Sequence, residues 1–235
     1  MKMYKCRNLF EYSITKSHRK TISIVIKAGG EVVVKAPSSL PLKEIEKCVE
    51  SKADWILKKI PEMIALAEKV PEKAYVTGET LYFLGERYKL VRKPSLDARK
   101  GSVAMAGDSI IVYGSFDSAE EVRAALEKWY QEKASEWIMQ RVNLYKEKIG
   151  VEFRRVSFRS PKTRWGSCSS QKNLMINWKL IMAPIEIIDY VVCHELCHLL
   201  EMNHSEDFWA LVAKQIPDWK RRRSWLRENG ITLCV

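Results

Sequence analysis

No stretch of this 235-residue chain approaches the roughly 18 consecutive apolar residues that a membrane-spanning helix requires. The opening Met1-Lys2-Met3-Tyr4-Lys5 leads into no signal-like apolar segment. A cytoplasmic protein with no membrane partner is therefore expected. Cys6, Cys48, Cys168, Cys193, Cys197 and Cys234 form no C-x-x-C pair and lie mostly in apolar or helical settings, so free, buried thiols are expected. Histidine is the scarcest ionisable side chain, with four residues in the chain. With so few, an ordered histidine pattern has little chance of arising at random.

Such a pattern is present. His194-Glu195-Leu196-Cys197-His198 is H-E-x-x-H, and His204 follows six residues later. Residues four apart on a helix lie about 40° apart around the axis and roughly 6 Å along it, so His194 and His198 can share one ion. Glu195 sits beside the first ligand, where its carboxylate can reach an attacking water. The spacing reads as a zinc hydrolase site. A continuing helix would carry His204 about 120° off the ligand face and roughly 9 Å away. It can ligate only if the helix stops, and Asn203 tolerates the left-handed conformation that stops use. Ser205 with Glu206 and Asp207 then resembles an N-cap and acidic first turn of a new helix. Glu206 and Asp207 are the rival third ligands.

The organisation is α+β. The first half holds two loosely matching ββα units. In the first, strands over 22–26 and 32–34 turn at Gly29-Gly30 and precede a helix over 42–57, with Pro61 bending or restarting it. In the second, strands over 103–105 and 110–113 turn at Gly107-Asp108 and precede a helix from Ser118. Tyr75 to Val91 reads as a further hairpin, and Pro94 to Gly101 as a polar connector. The helix over 118–148 ends at Gly150. Strands over 151–158, 163–168 and 173–180 lead into an active-site helix over 185–202, with Pro184 near its first turn. The expected domains are 1–116, a β-rich region, and 117–235, the catalytic domain.

The net charge of +11 raises nucleic acid as a partner. Lys220-Arg221-Arg222-Arg223 with Arg227 forms one basic cluster, interleaved by Trp219 and Trp225. Arg154, Arg155, Arg159, Lys162 and Arg164 form another near the motif.

His194 to His204, followed by Ser205 and Phe208-Trp209, resembles the YgjP-like metallohydrolase family, a relative of the SprT and WLM zinc-peptidase groups. Asp189-Tyr190-Val191-Val192, Arg164-Trp165-Gly166-Ser167-Cys168-Ser169 and Asn173 to Leu180 with Asn177 match its style. The resemblance is strong over 151–210 and weak upstream, where Arg19-Lys20-Thr21 and Trp55-Ile56 fit. It implies a zincin-like fold, one divalent metal held by three histidines, and a glutamate base. The third-histidine spacing also equals that of metzincins, but Glu201 stands where those carry glycine.

The expected protein is thus a zinc-dependent metallopeptidase with His194, His198 and His204 as ligands and Glu195 as general base. Arg164 and Ser167, nearest the motif on strand and turn, are the candidate substrate contacts. Trp165 and Trp178 are expected in the core, and Cys197 in helix packing rather than ligation. The substrate is a peptide or protein, or in the alternative a nucleoside triphosphate hydrolysed at its phosphoanhydride. A third reading is a nucleic-acid-associated module with a structural metal; Glu195 and the open fourth position speak against it.

Overall fold

The computed structural model describes residues 3–27, 29–69, 73–94, 101–161 and 163–235. Lys162 and positions 95–100 of the expected connector lie outside them. The chain divides into two compact units, Met1–Glu72 and Lys73–Val235.

The first unit begins with β1 (Met3–Cys6), β2 (Phe10–Ser17), β3 (Ser23–Ile26) and β4 (Val32–Pro37). Their order is β1-β2-β4-β3, with β2 and β4 parallel and both outer pairs antiparallel. Two helices follow, α1 (Leu42–Ser51) and α2 (Ala53–Lys69). Ile45, Val49, Ala53 and Ile56 recur at helical spacing and are buried in one cluster with Tyr12, Val32, Val34 and Ala36. The break falls at Lys52, and Pro61 lies inside α2, where a bend or restart was expected. An interior proline removes one hydrogen bond, and this helix runs through that loss. Trp55-Ile56 accordingly lies within α2 rather than at a helix end.

The second unit opens with the same topology. β5 (Thr80–Phe83), β6 (Glu86–Lys93), β7 (Ser102–Ala106) and β8 (Ser109–Tyr113) are ordered β5-β6-β8-β7, with a parallel central pair and antiparallel flanks. The repeat seen in the sequence is therefore one of four-stranded sheets, each followed by helix. Positive φ at both Leu84 (50°) and Gly85 (85°) gives the tight turn joining β5 and β6. The Leu84 N–H donates to the Ile181 carbonyl at 2.7 Å, docking this hairpin tip against the segment that precedes the motif helix.

Helix α3 (Ala119–Ile149) is capped as its sequence predicts: Ser118 Oγ accepts from the Glu121 N–H, and Gly150 stops it in the left-handed conformation at φ 76°. Then come β9 (Arg155–Arg159), β10 (Gly166–Cys168) and β11 (Asn173–Asn177), ordered β10-β11-β9. β11 is parallel to β9 and antiparallel to β10, which leaves β10 on the edge. The expected strand through Leu180 instead gives way to a 3₁₀ turn over Trp178–Met182, which Asn177 caps by accepting from the Lys179 N–H. The last helices are α4 (Ile185–Cys197), α5 (Glu206–Gln215) and α6 (Trp219–Asn229).

α4 is rich in β-branched residues with modest helix propensity. Its stability comes from packing: Ile187, Ile188, Val191, Val192 and Leu196 are all buried, and full burial of each such side chain is worth about 1.5–3 kcal/mol. The division between units falls at residue 72, not after 116, because Leu81, Phe83, Leu90, Ile110 and Val112 of the β5–β8 sheet share one core cluster with α3 and α4.

Candidate metal centre

α4 ends five residues earlier than its sequence suggested, at Cys197, with His198 as the capping residue. The Leu199, Leu200 and Glu201 N–H groups donate to Leu196 and Cys197 carbonyls at 3.0 Å, winding the chain into a tight reversal. Asn203 is absent from the positive-φ residues among those described. The turn needs no left-handed residue there because these hydrogen bonds already redirect the backbone. The reversal returns His204 to α4, with its Nε2 3.1 Å from His194 Nε2. One nitrogen from each of His194, His198 and His204 lies within 4.8 Å of the others.

Neighbours fix each ring. His198 Nδ1 lies 3.0 Å from the Glu201 carbonyl and donates to it, so its Nε2 carries the free lone pair. Ser205 caps α5 through the Phe208 N–H, and the Phe208 ring stacks on His198 at 4.4 Å between centroids. Trp209 stacks on His204 at 5.7 Å, and Tyr190, one turn before His194, approaches it at 5.9 Å.

The electrostatics suit a cation. Burial, then the neighbouring His198 and His204 and the Arg223 charge, push His194 down to about 3. Burial also lowers His198, with the Glu201 carbonyl opposing it. Both are neutral near pH 7 and present lone pairs. Glu195 is pushed up to about 8 by burial, with Arg164 pulling the other way, and a divalent cation held beside it would favour the ionised carboxylate. Among the described residues, Glu195 Oε2 and His194 Nδ1 are buried and have no hydrogen-bond partner. Two nitrogens on one tetrahedral zinc sit about 3.3 Å apart at the usual bond lengths, close to the observed His194–His204 separation. The donor set therefore fits a divalent metal of the zinc type.

The histidines open onto a cleft of about 240 Å³ whose opposite wall is Gly166, Ser167 and Cys168 of β10, with Met202 also lining it. Gly166 is a site residue that spacing alone did not single out. A Cβ there would fall 2.5 Å from Glu195 Cγ, so only glycine lets this edge strand lie on the carboxylate. Ser167 lines the cleft. Arg164 does not; it lines an adjacent pocket with Trp165 and Lys179. Glu206 and Asp207 are exposed in the first turn of α5 and stand outside the histidine group. Trp178 is buried in the core and Trp165 packs against it. Cys197 is buried with its Sγ 4.0 Å from that of Cys193. The basic cluster is partly committed: Arg221 and Arg222 pair with Asp218 at 2.6 and 2.8 Å, while Lys220 and Arg223 lie over the Trp219 and Trp209 rings.

The chain is similar to two solved metallopeptidase zymogens, at low overlap. Abylysin of Pyrococcus abyssi is 22% identical, covering 38% of this chain and 93% of that one at a TM-score of 0.35. Jannalysin of Methanocaldococcus jannaschii is 19% identical, covering 39% of this chain and 94% of that one at a TM-score of 0.36. No curated protein matches the chain. The model of the YgjP-like family, described as a metallopeptidase domain, matches residues 20–229. The chain belongs to the YgjP-like metallopeptidase family and is a metal-dependent hydrolase.

Proposed function

We propose that this protein is a zinc-dependent peptidase in which His194, His198 and His204 hold the ion and Glu195 is the general base. The observation that carries the reading is the convergence of three histidine nitrogens within 4.8 Å, next to a buried glutamate, in a cleft walled by an edge strand. When bound, zinc would supply Lewis acidity to the scissile carbonyl and to the attacking water. The remaining work falls to the chain. Glu195, held against Gly166, accepts the proton of the attacking water and returns it to the leaving amine. The outer edge of β10, unpaired among the described residues, supplies backbone groups to an extended peptide, the recognition mode open to an edge strand. Ser167 faces the same cleft and is the nearer of the two candidate substrate contacts.

The test is Glu195→Gln, which keeps size and hydrogen-bonding shape. Metal content should stay at about one equivalent, while peptide turnover falls roughly 10²–10⁴-fold. Full activity in that variant sinks the assignment of Glu195.

A further inference from the structure

Beside the histidine cleft lies a larger pocket, about 480 Å³, lined by Arg164, Lys179 and Arg227 together with the apolar side chains of Trp165, Leu226 and Leu233. Among the described residues, no carboxylate lines it. Among the described residues Arg164 and Lys179 have no acidic partner, and Arg227 meets only Glu228, at 3.7 Å with both side chains largely exposed. The wall is built rather than incidental. Asn177, buried, donates to the Pro161 and Arg164 carbonyls at 3.3 and 3.2 Å, and its own N–H donates to the Trp165 carbonyl at 2.8 Å. Gly230 completes it, packed so closely on the Trp165 ring that a Cβ would come within 2.8 Å.

The pocket and the cleft are joined by the short segment that enters β10. Arg164 and Trp165 lead directly into Gly166, which touches Glu195, so Arg164 stands within about 7 Å of Gly166 along the backbone. A peptide antiparallel to β10 runs its C-terminal end toward Arg164, advancing about 3.3 Å per residue.

We infer that this pocket binds a carboxylate of the substrate, placed two or three residues past the scissile bond on its C-terminal side. This rests on the peptidase reading above. Either a free α-carboxylate or an Asp or Glu side chain supplies the chemistry; guanidinium and ammonium groups together with apolar side chains suit both.

Binding to zinc-loaded, full-length Glu195→Gln protein tests it without turnover. The probes are alanine-based pentapeptides as free acid and as amide, and amides with Glu or Gln at the fourth position. Acidic forms should bind roughly ten- to hundredfold more tightly than their neutral partners. Tighter binding of the free acid assigns the α-carboxylate, and of the Glu amide the side chain. Arg164→Met with Lys179→Met should erase the preference while leaving metal content and amide binding unchanged. Equal binding of acidic and neutral forms, or no binding of any, overturns the inference. Cleavage by the parent protein is scored separately: acid-selective binding with no peptide cleaved leaves the pocket standing and removes the peptidase reading.

Discussion

Arg141 on α3 holds Asp189 on α4 through two parallel hydrogen bonds, Nε to Oδ1 at 2.5 Å and Nη2 to Oδ2 at 2.7 Å. The Asp189 side chain is only 11% exposed. The pair sits about one helical turn before His194, so it clamps the motif helix to the longest helix of the fold. Removing one partner leaves a largely desolvated charge behind. Arg141→Met should lower stability by about 3 kcal/mol, read as a shifted urea midpoint at unchanged slope. Replacing both partners by apolar residues should recover most of the loss. A single-variant shift under about 1 kcal/mol, the scale of an exposed pair, would mean that the clamp contributes little.

Gly166→Ala places a methyl group against the Glu195 carboxylate. Either β10 or Glu195 must move, at about 1–3 kcal/mol for overpacking. Turnover should drop strongly while the metal content stays at the parent's level. Wild-type kinetics in this variant would show that the edge strand does not position the base.

His204 comes from an exposed reversal, not from the packed helix. His204→Ala should therefore lose most of the metal affinity with little change in the stability of the metal-free protein. Asp207→Ala should retain the metal. The opposite pattern in elemental analysis would transfer the third ligand to the first turn of α5.

Gly85 has φ 85°, and a Cβ there would lie 2.8 Å from Pro184 Cα. Both the left-handed conformation and the contact with backbone resist substitution. Gly85→Ala should cost about 2 kcal/mol or more, measured as a lowered melting temperature. If it is neutral, the docking of the hairpin tip before α4 is dispensable.

Chelation should lower the melting temperature, because a ligand that binds only the folded state stabilises it by mass action. Readded zinc should restore it in the parent and not in His194→Ala. A melting curve indifferent to chelator and zinc would argue against tight metal binding at these histidines.

The sequence by itself determined the parts of this protein whose physics is local. H-E-x-x-H spacing places two imidazoles on one helix face whatever surrounds them. Ser118, Gly150 and Ser205 announce their helix ends because caps act within a single turn. The recurrence of strand pairs before helices was readable in the same way. Tertiary structure decided what depends on approach between distant segments. The end of α4 at Cys197 was set by hydrogen bonds of the reversal, not by Asn203. The β5–β8 sheet joined the catalytic unit because its buried residues complete the core around α3 and α4. Gly166 mattered only once β10 lay against Glu195. Arg164 left the cleft for the neighbouring pocket because Asn177 ties down the loop that carries it. Such contacts join residues tens of positions apart, and no local pattern of polarity or propensity encodes them.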